Sequence, residues 1–167
     1  ALRADGVKRP SLADVVRLFV QEQGRSLTEV LVALGLATRD AHGNIVAIDV
    51  AGTEFGDTEL QHLGPLGTLQ ELHLAATRVT DAGMEHVGQL ENLERLYLAK
   101  CNVSDAGLAH VTKLKRLRAI NLYGTKLTSA GLEHLSRLEA LRLLSVTDVK
   151  LSPAAVDQLK QKLPRLT

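Results

Sequence analysis

Residues 69–90 read LQELHLAATRVTDAGMEHVGQL, and residues 93–114 read LERLYLAKCNVSDAGLAHVTKL. Laid one over the other, they share leucine at the first, fourth and sixth places and Asp-Ala-Gly from the thirteenth. Working outward, the same frame opens at Ile45, Leu69, Leu93, Leu117 and Leu141, so a 24-residue unit recurs five times. A fixed period in the twenties with this leucine spacing is the signature of a solenoid that alternates strand with helix. Each unit then contacts mainly its neighbours, and stacking builds an extended concave surface suited to binding.

The fourth and sixth places hold Ile48/Val50, Leu72/Leu74, Leu96/Leu98, Ile120/Leu122 and Leu144/Val146. Alternation about them predicts a short strand with one buried face, and a helix before each return makes the sheet parallel, at about 4.8 Å per strand. The eleventh place turns inward with Phe55, Val79, Val103, Leu127 and Leu151. Thr80, Ser104, Thr128 and Ser152 follow, where a hydroxyl can accept from the first free amides of a helix. Asp81 and Asp105 come next and set negative charge at the positive end of the helix dipole, whereas Pro153 takes that slot in the last unit. Gly83, Gly107 and Gly131 each cost a helix about 1 kcal/mol, which predicts close approach of helix to sheet. Leu60, Met84, Leu108, Leu132 and Val156, with Leu63, Val87, Val111, Leu135 and Leu159, supply the inward stripe. The expected fold is α/β, a right-handed solenoid of five parallel strands, each followed by a short helix.

Residues 1–44 do not repeat. Residues 1–10 read as a flexible lead-in. Ser11 with Asp14, and Ser26 with Glu29, resemble capping boxes that open two helices closed by Gly24 and Gly35. Val15, Val16, Phe19, Val30, Leu31 and Leu34 would cover the open edge of the first unit. A hairpin over 36–50, turning at 40–44, leads into it. The division is therefore a cap and hairpin entry over 11–44 and the array over 45–167, closed by a helix over 154–162 that Pro164 stops, with little of the array expected beyond.

Composition narrows the function. The chain of 167 residues is 45% hydrophobic but 2% aromatic, so its core is aliphatic. A net charge of +1 gives no electrostatic case for nucleic acid, and no apolar run approaches the roughly 18–20 residues of a membrane span. The one cysteine, Cys101, forbids an internal disulfide. Opening on Ala1 rather than Met, the chain reads as processed or trimmed.

The run TxVTDAGLxHLxxL resembles leucine-rich repeats, specifically a bacterial 24-residue subset similar to the cysteine-containing type of F-box substrate receptors. TDAGM at 80–84, SDAGL at 104–108 and TSAGL at 128–132 carry the likeness best, with LGLATRDAHGNIVAIDV at 34–50 and LKQKLPRL at 159–166 as entry and exit. The first unit and the last depart from it, at Gly56 and at Val149 and 153–155. The resemblance implies a non-catalytic binding module, exported or in the cell envelope, or a recognition or structural module of a larger protein, and the module is expected to be a monomer without cofactor.

Outward places on the strands carry the candidate site. The third place reads Ala47, Glu71, Arg95, Ala119, Leu143; the fifth reads Asp49, His73, Tyr97, Asn121, Ser145; the seventh reads Ala51, Ala75, Ala99, Tyr123, Thr147. Tyrosine and arginine are enriched at binding hot spots, so Glu71, His73, Arg95, Tyr97, Asn121 and Tyr123 are the residues expected to grip a protein or peptide. Lys100, Gly124 and Asp148 would form the nearer rim.

Competing chemistry fares worse. His62, His86, His110 and His134 share the eighteenth place, about 130° from the buried stripe at 100° per residue, which predicts outward-facing rings. Helices packed about 8–10 Å apart hold them too far from one another for a shared zinc at about 2.0–2.1 Å. Thr53, Thr77, Cys101 and Thr125 share the ninth place, expected inside and bonded to a neighbouring loop's backbone rather than exposed as nucleophiles. Asp49 beside His73 hints at a hydrolase, but Ser145 stands three strands from His73, roughly 14 Å away. The basic run Lys113, Lys115, Arg116 and Arg118 alternates with leucines the repeat requires and reads as a solvated edge.

Overall fold

The computed structural model describes residues 26–167. One open sheet of six strands runs in chain order: β1 (Ala37–Arg39), β2 (Ile45–Asp49), β3 (Glu71–His73), β4 (Arg95–Tyr97), β5 (Ala119–Asn121) and β6 (Leu143–Ser145). β1 pairs antiparallel with β2 as the expected hairpin, with Ala37 opposite Ile48. From β2 onward every pairing is parallel, with Ile48, Leu72, Leu96, Ile120 and Leu144 in one row. The five-strand expectation thus describes the parallel part, to which the hairpin adds a sixth. Ile48, Leu72, Leu96 and Ile120 are buried, as are Val50, Leu74, Leu98 and Leu122, while Leu144 and Val146 in the last unit are half-buried.

The helices are α1 (Leu27–Ala33), α2 (Asp57–Leu60), α3 (Asp81–Val87), α4 (Asp105–Val111), α5 (Leu132–Leu135) and α6 (Pro153–Lys162). In α1, Ser26 and Glu29 form the capping box, and Leu27, Val30 and Leu31 are buried. Ser11, Asp14, Val15, Val16, Phe19 and Gly24, with the lead-in over 1–10, lie outside the described residues.

Two readings of the helical half need correction. The aspartates do more than complement a dipole, because each reaches into the following unit. Asp81 Oδ1 accepts from Ser104 N–H at 2.7 Å and its Oδ2 from the Ser104 hydroxyl at 2.6 Å. Asp57 does the same for Thr80 at 2.8 and 2.6 Å, and Asp105 for Thr128 at 2.8 and 2.5 Å. Ser129, in the same slot, accepts from Ser152 N–H at 2.8 Å through its single oxygen. The glycines answer both to this ladder and to the core side chains packed beside it. A methyl on Gly83 would collide with Asp57 Oδ1, one on Gly107 would sit 2.5 Å from Asp81 Oδ1, and one on Gly131 would collide with Asp105 Oδ1.

The histidines also differ from expectation. His62 is exposed, but His86, His110 and His134 are half-buried. A methyl on Gly88 would stand 2.7 Å from the His110 carbonyl oxygen. Adjacent helices therefore meet at this place, and it lies in the crease between them. Among the described residues no three His, Cys, Asp or Glu groups cluster as a metal site would need, and no helix is long and apolar enough to cross a membrane.

Candidate functional site: the concave face of the sheet

The parallel register brings the outward places of successive strands side by side. Glu71 lies opposite Arg95 and His73 opposite Tyr97, and Tyr97 in turn lies opposite Asn121. Alternation along three-residue strands turns these side chains away from the core, so Glu71, His73, Tyr97 and Asn121 are half-buried and Arg95 is exposed.

Glu71, His73, Arg95 and Tyr97 form one bonded cluster. Arg95 donates through Nε at 2.8 Å and a terminal nitrogen at 2.6 Å, both to Glu71 Oε2. The other oxygen, Oε1, is 2.6 Å from His73 Nε2. The His73 ring stacks on Tyr97 with centroids 4.0 Å apart and planes inclined by 21°. Burial pushes the Glu71 carboxyl up, but hydrogen bonds from Arg95 and His73 outweigh it and hold the carboxyl below its ordinary range. Donating to Glu71 in turn raises the pKa of Arg95. The charges are thus spent on one another, and what the cluster presents is a braced aromatic surface with a guanidinium at its edge.

Asn121 and Tyr123 form a second group. Tyr123 N–H donates to Asn121 Oδ1 at 3.0 Å, and Lys100 Nζ lies 5.7 Å from the centroid of the Tyr123 ring, within reach of a cation–π attraction. Tyr123 itself stands in the turn after β5 rather than on the strand. Gly52, Ala76, Lys100, Gly124 and Asp148, all at the eighth place, have positive φ, and this left-handed turn ends each strand and builds the near rim.

Leu143 is the residue that sequence reasoning passed over. It is 58% exposed, the one large hydrophobic side chain so exposed among the described residues, and it stands opposite the small Ala119. Its signal was legible as the lone leucine in an outward row. Asp49 Oδ1 accepts from Ala51 N–H at 3.1 Å, whereas His73 bonds Glu71.

The ninth place is interior, as expected, but mostly bonded within its own unit. Thr53, Thr77 and Thr125 donate to the carbonyls of Val50, Leu74 and Leu122 at 2.7, 2.6 and 2.8 Å. Only Cys101 crosses, its thiol donating to Leu74 O at 3.0 Å. Burial pushes that thiol up, away from the thiolate a nucleophile needs.

A family described as "Leucine Rich repeat" matches residues 89–109. No curated protein sequence matches the chain. Among solved structures, an internalin from Listeria monocytogenes is similar at 18% identity and a TM-score of 0.63, over 73% of this chain and 33% of its own. A leucine-rich-repeat protein of Leptospira interrogans is similar at 25% identity and a TM-score of 0.51, over 64% of this chain and 26% of its own. The PEPR1–AtPEP1 structure is similar at 20% identity and a TM-score of 0.54, over 80% of this chain and 19% of the other. The chain thus spans a third or less of the length of each. The fold is that of a leucine-rich-repeat protein.

Proposed function

We propose that this chain is a non-catalytic module that binds a protein or peptide segment on its concave sheet face, through Glu71, His73, Arg95, Tyr97, Asn121 and Tyr123. The observation that carries the reading is the braced His73–Tyr97 stack, held by Glu71 and flanked by Arg95. Side chains already ordered in the free protein lose little entropy on binding, so their contacts register as affinity. Arginine and tyrosine are also the side chains on which interface energy concentrates.

Size restricts the partner. Five parallel strands at about 4.8 Å, each with its turn contributing roughly five consecutive residues at about 3.3 Å, give a patch on the order of 20 by 16 Å. That falls short of the roughly 800 Å² per partner of a standard interface. The face alone suits a peptide or one helix, and a larger partner would engage the rim at Lys100 as well.

The test selects ligands from a displayed library of random peptides on the immobilised chain. Affinity of the selected peptides should fall about tenfold or more, or about 1.4 kcal/mol, on Tyr97→Ala and on Tyr123→Ala, with unfolding temperatures unchanged. His86→Ala and His110→Ala should leave it intact. Peptides that ignore both tyrosines and depend on the helical histidines would reverse the assignment of faces.

A further inference from the structure

The loops that lead from each helix to the next strand carry charge that the repeat does not require. Between Asp105 and Glu133 the chain has Lys113, Lys115, Arg116, Arg118 and Lys126 and no Asp or Glu, although its net charge is only +1. The first four stand in the loop over 112–118 that joins α4 to β5, and all four are exposed. At the same places the loop before it holds Gln89, Glu91, Asn92 and Glu94, and the loop after it holds Arg137, Glu139, Ala140 and Arg142. These loops stack directly, since Arg118 N–H donates to Glu94 O and Arg142 N–H to Arg118 O, both at 2.8 Å. The fold therefore accepts acids, amides or cations there, and the cations are gathered on one stretch of this edge.

Most of these cations have no acidic partner. Lys113, Lys115, Arg116 and Arg137 take part in no ion pair among the described residues. Arg118 reaches Glu94 at 3.8 Å while remaining 68% exposed, and Arg142 donates to the carbonyls of Glu139 and Leu141. The backbone beneath them is fixed. Leu114 and Leu117 are fully buried, and their amides donate to Val111 O and Leu114 O at 2.9 and 3.0 Å. Like charges crowded on a fixed backbone repel and destabilise the folded chain, and an anionic partner would offset that cost.

We propose that this edge is a second binding surface, separate from the concave face, and that it takes an acidic segment of a partner protein. The segment is a short run of Asp and Glu laid over Lys113, Lys115, Arg116 and Arg118 and reaching Arg137. Carboxylates meet guanidinium groups through paired, charge-assisted bonds, and such complementarity speeds encounter and excludes wrong partners. Size and chemistry select this occupant. Glu91 and Glu94 close the patch on one side, and its loops repeat at about 4.8 Å. A patch on the order of 10 Å wide fits a few carboxylates and not the continuous phosphates of a duplex. No aromatic ring stands in 112–118 or 136–142 for bases to stack on. Neither loop exposes a large apolar side chain that would enter a bilayer.

The test titrates the ¹⁵N-labelled 167-residue chain, in about 20 mM salt, with an acetylated, amidated synthetic peptide, Gly-Asp-Glu-Asp-Glu-Asp-Gly. Saturable amide shifts should centre on residues 113–118 and Arg137, and affinity should fall about tenfold or more at about 200 mM salt. Lys115→Glu/Arg116→Glu should weaken binding about tenfold or more, with Tm unchanged or higher because repulsion is relieved. Lys126→Glu/Lys150→Glu makes the same change in net charge beyond the other end of the strands and should alter affinity less than about twofold. Absence of saturable shifts up to about 1 mM peptide, equal losses from the two pairs, or shifts centred on Tyr97 and Tyr123 would overturn the proposal. So would tighter binding at this edge of a short oligothymidylate or of phosphatidylserine vesicles, which would make nucleic acid or a membrane the occupant.

Discussion

Gly107→Ala should destabilise the array, although the same change in an ordinary helix interior stabilises by about 1 kcal/mol. Gly107 lies in α4, where an added methyl would sit 2.5 Å from Asp81 Oδ1 and 3.0 Å from both Met84 Cγ and Val103 Cγ1. The carboxylate can retreat only by releasing Ser104, which it holds through two bonds of 2.7 and 2.6 Å. Hydrogen bonds to charged groups contribute about 1.5–3 kcal/mol each. Losing one and lengthening the other costs about 3 kcal/mol, and the helix gain of about 1 kcal/mol offsets part of it. The net loss of about 2 kcal/mol lowers Tm by about 4–8 °C in a domain of this size. Thermal and urea unfolding would be followed for Gly107→Ala, Asp81→Ala and the double variant. Gly67→Ala is the control, since a methyl there meets nothing within 4 Å. Without the carboxylate, alanine at 107 should cost at least about 1 kcal/mol less. A higher Tm for Gly107→Ala, or a cost that ignores Asp81, would refute the reasoning.

Two further outcomes follow from the perturbed groups. The folded pKa of Glu71 lies below its ordinary 4.5, so its contribution is fully present above that value and is lost as pH falls through the folded one. The Tm gap between the native chain and Glu71→Gln should hold from neutral pH to about pH 5 and close in acid; a gap that widens on acidification contradicts the Glu71–Arg95–His73 linkage. Cys101 is buried and its thiol pKa is raised by that burial, so iodoacetamide should label it slowly in the native chain and rapidly in denaturant. Labelling at the rate of a free cysteine would place the ninth position at the surface.

The fold was legible because its determinants are local and repeated. Alternation about Leu72, Leu96 and Ile120 names the buried face of each strand, and the constant 24-residue step sets the parallel register. What escaped lies between units. Asp81 is the first residue of its own helix, and a reading confined to one unit assigns it to that helix's dipole. Its partner is Ser104, 23 residues on, and the glycine it excludes a side chain from is Gly107. A helical wheel likewise treats α4 alone and turns His110 outward, whereas the neighbouring Gly88 brings α3 against it. The aspartate, hydroxyl and glycine columns do repeat together, so reading them across units would have found the ladder.

The site was legible in outline for the same reason and illegible in its detail. Period two places Glu71, Arg95, His73 and Tyr97 on one face, but only side-chain geometry divides the Glu71 carboxylate between Arg95 on one oxygen and His73 on the other. Tyr123 depends on a backbone choice that its own unit does not make. Lys100 takes φ of 59°, a conformation that costs a non-glycine residue roughly 1–2 kcal/mol. That turn lets Lys100 N–H donate to Tyr123 O at 2.7 Å and sets its ammonium 5.7 Å from the Tyr123 ring. Ala76 makes the equivalent bond to Ala99 O at 2.7 Å with φ of 54°, so the strained turn belongs to the stacking of units and recurs whatever residue occupies it. The backbone of a candidate binding tyrosine is thus tied to the unit before it, and that bond joins the rim to the sheet face.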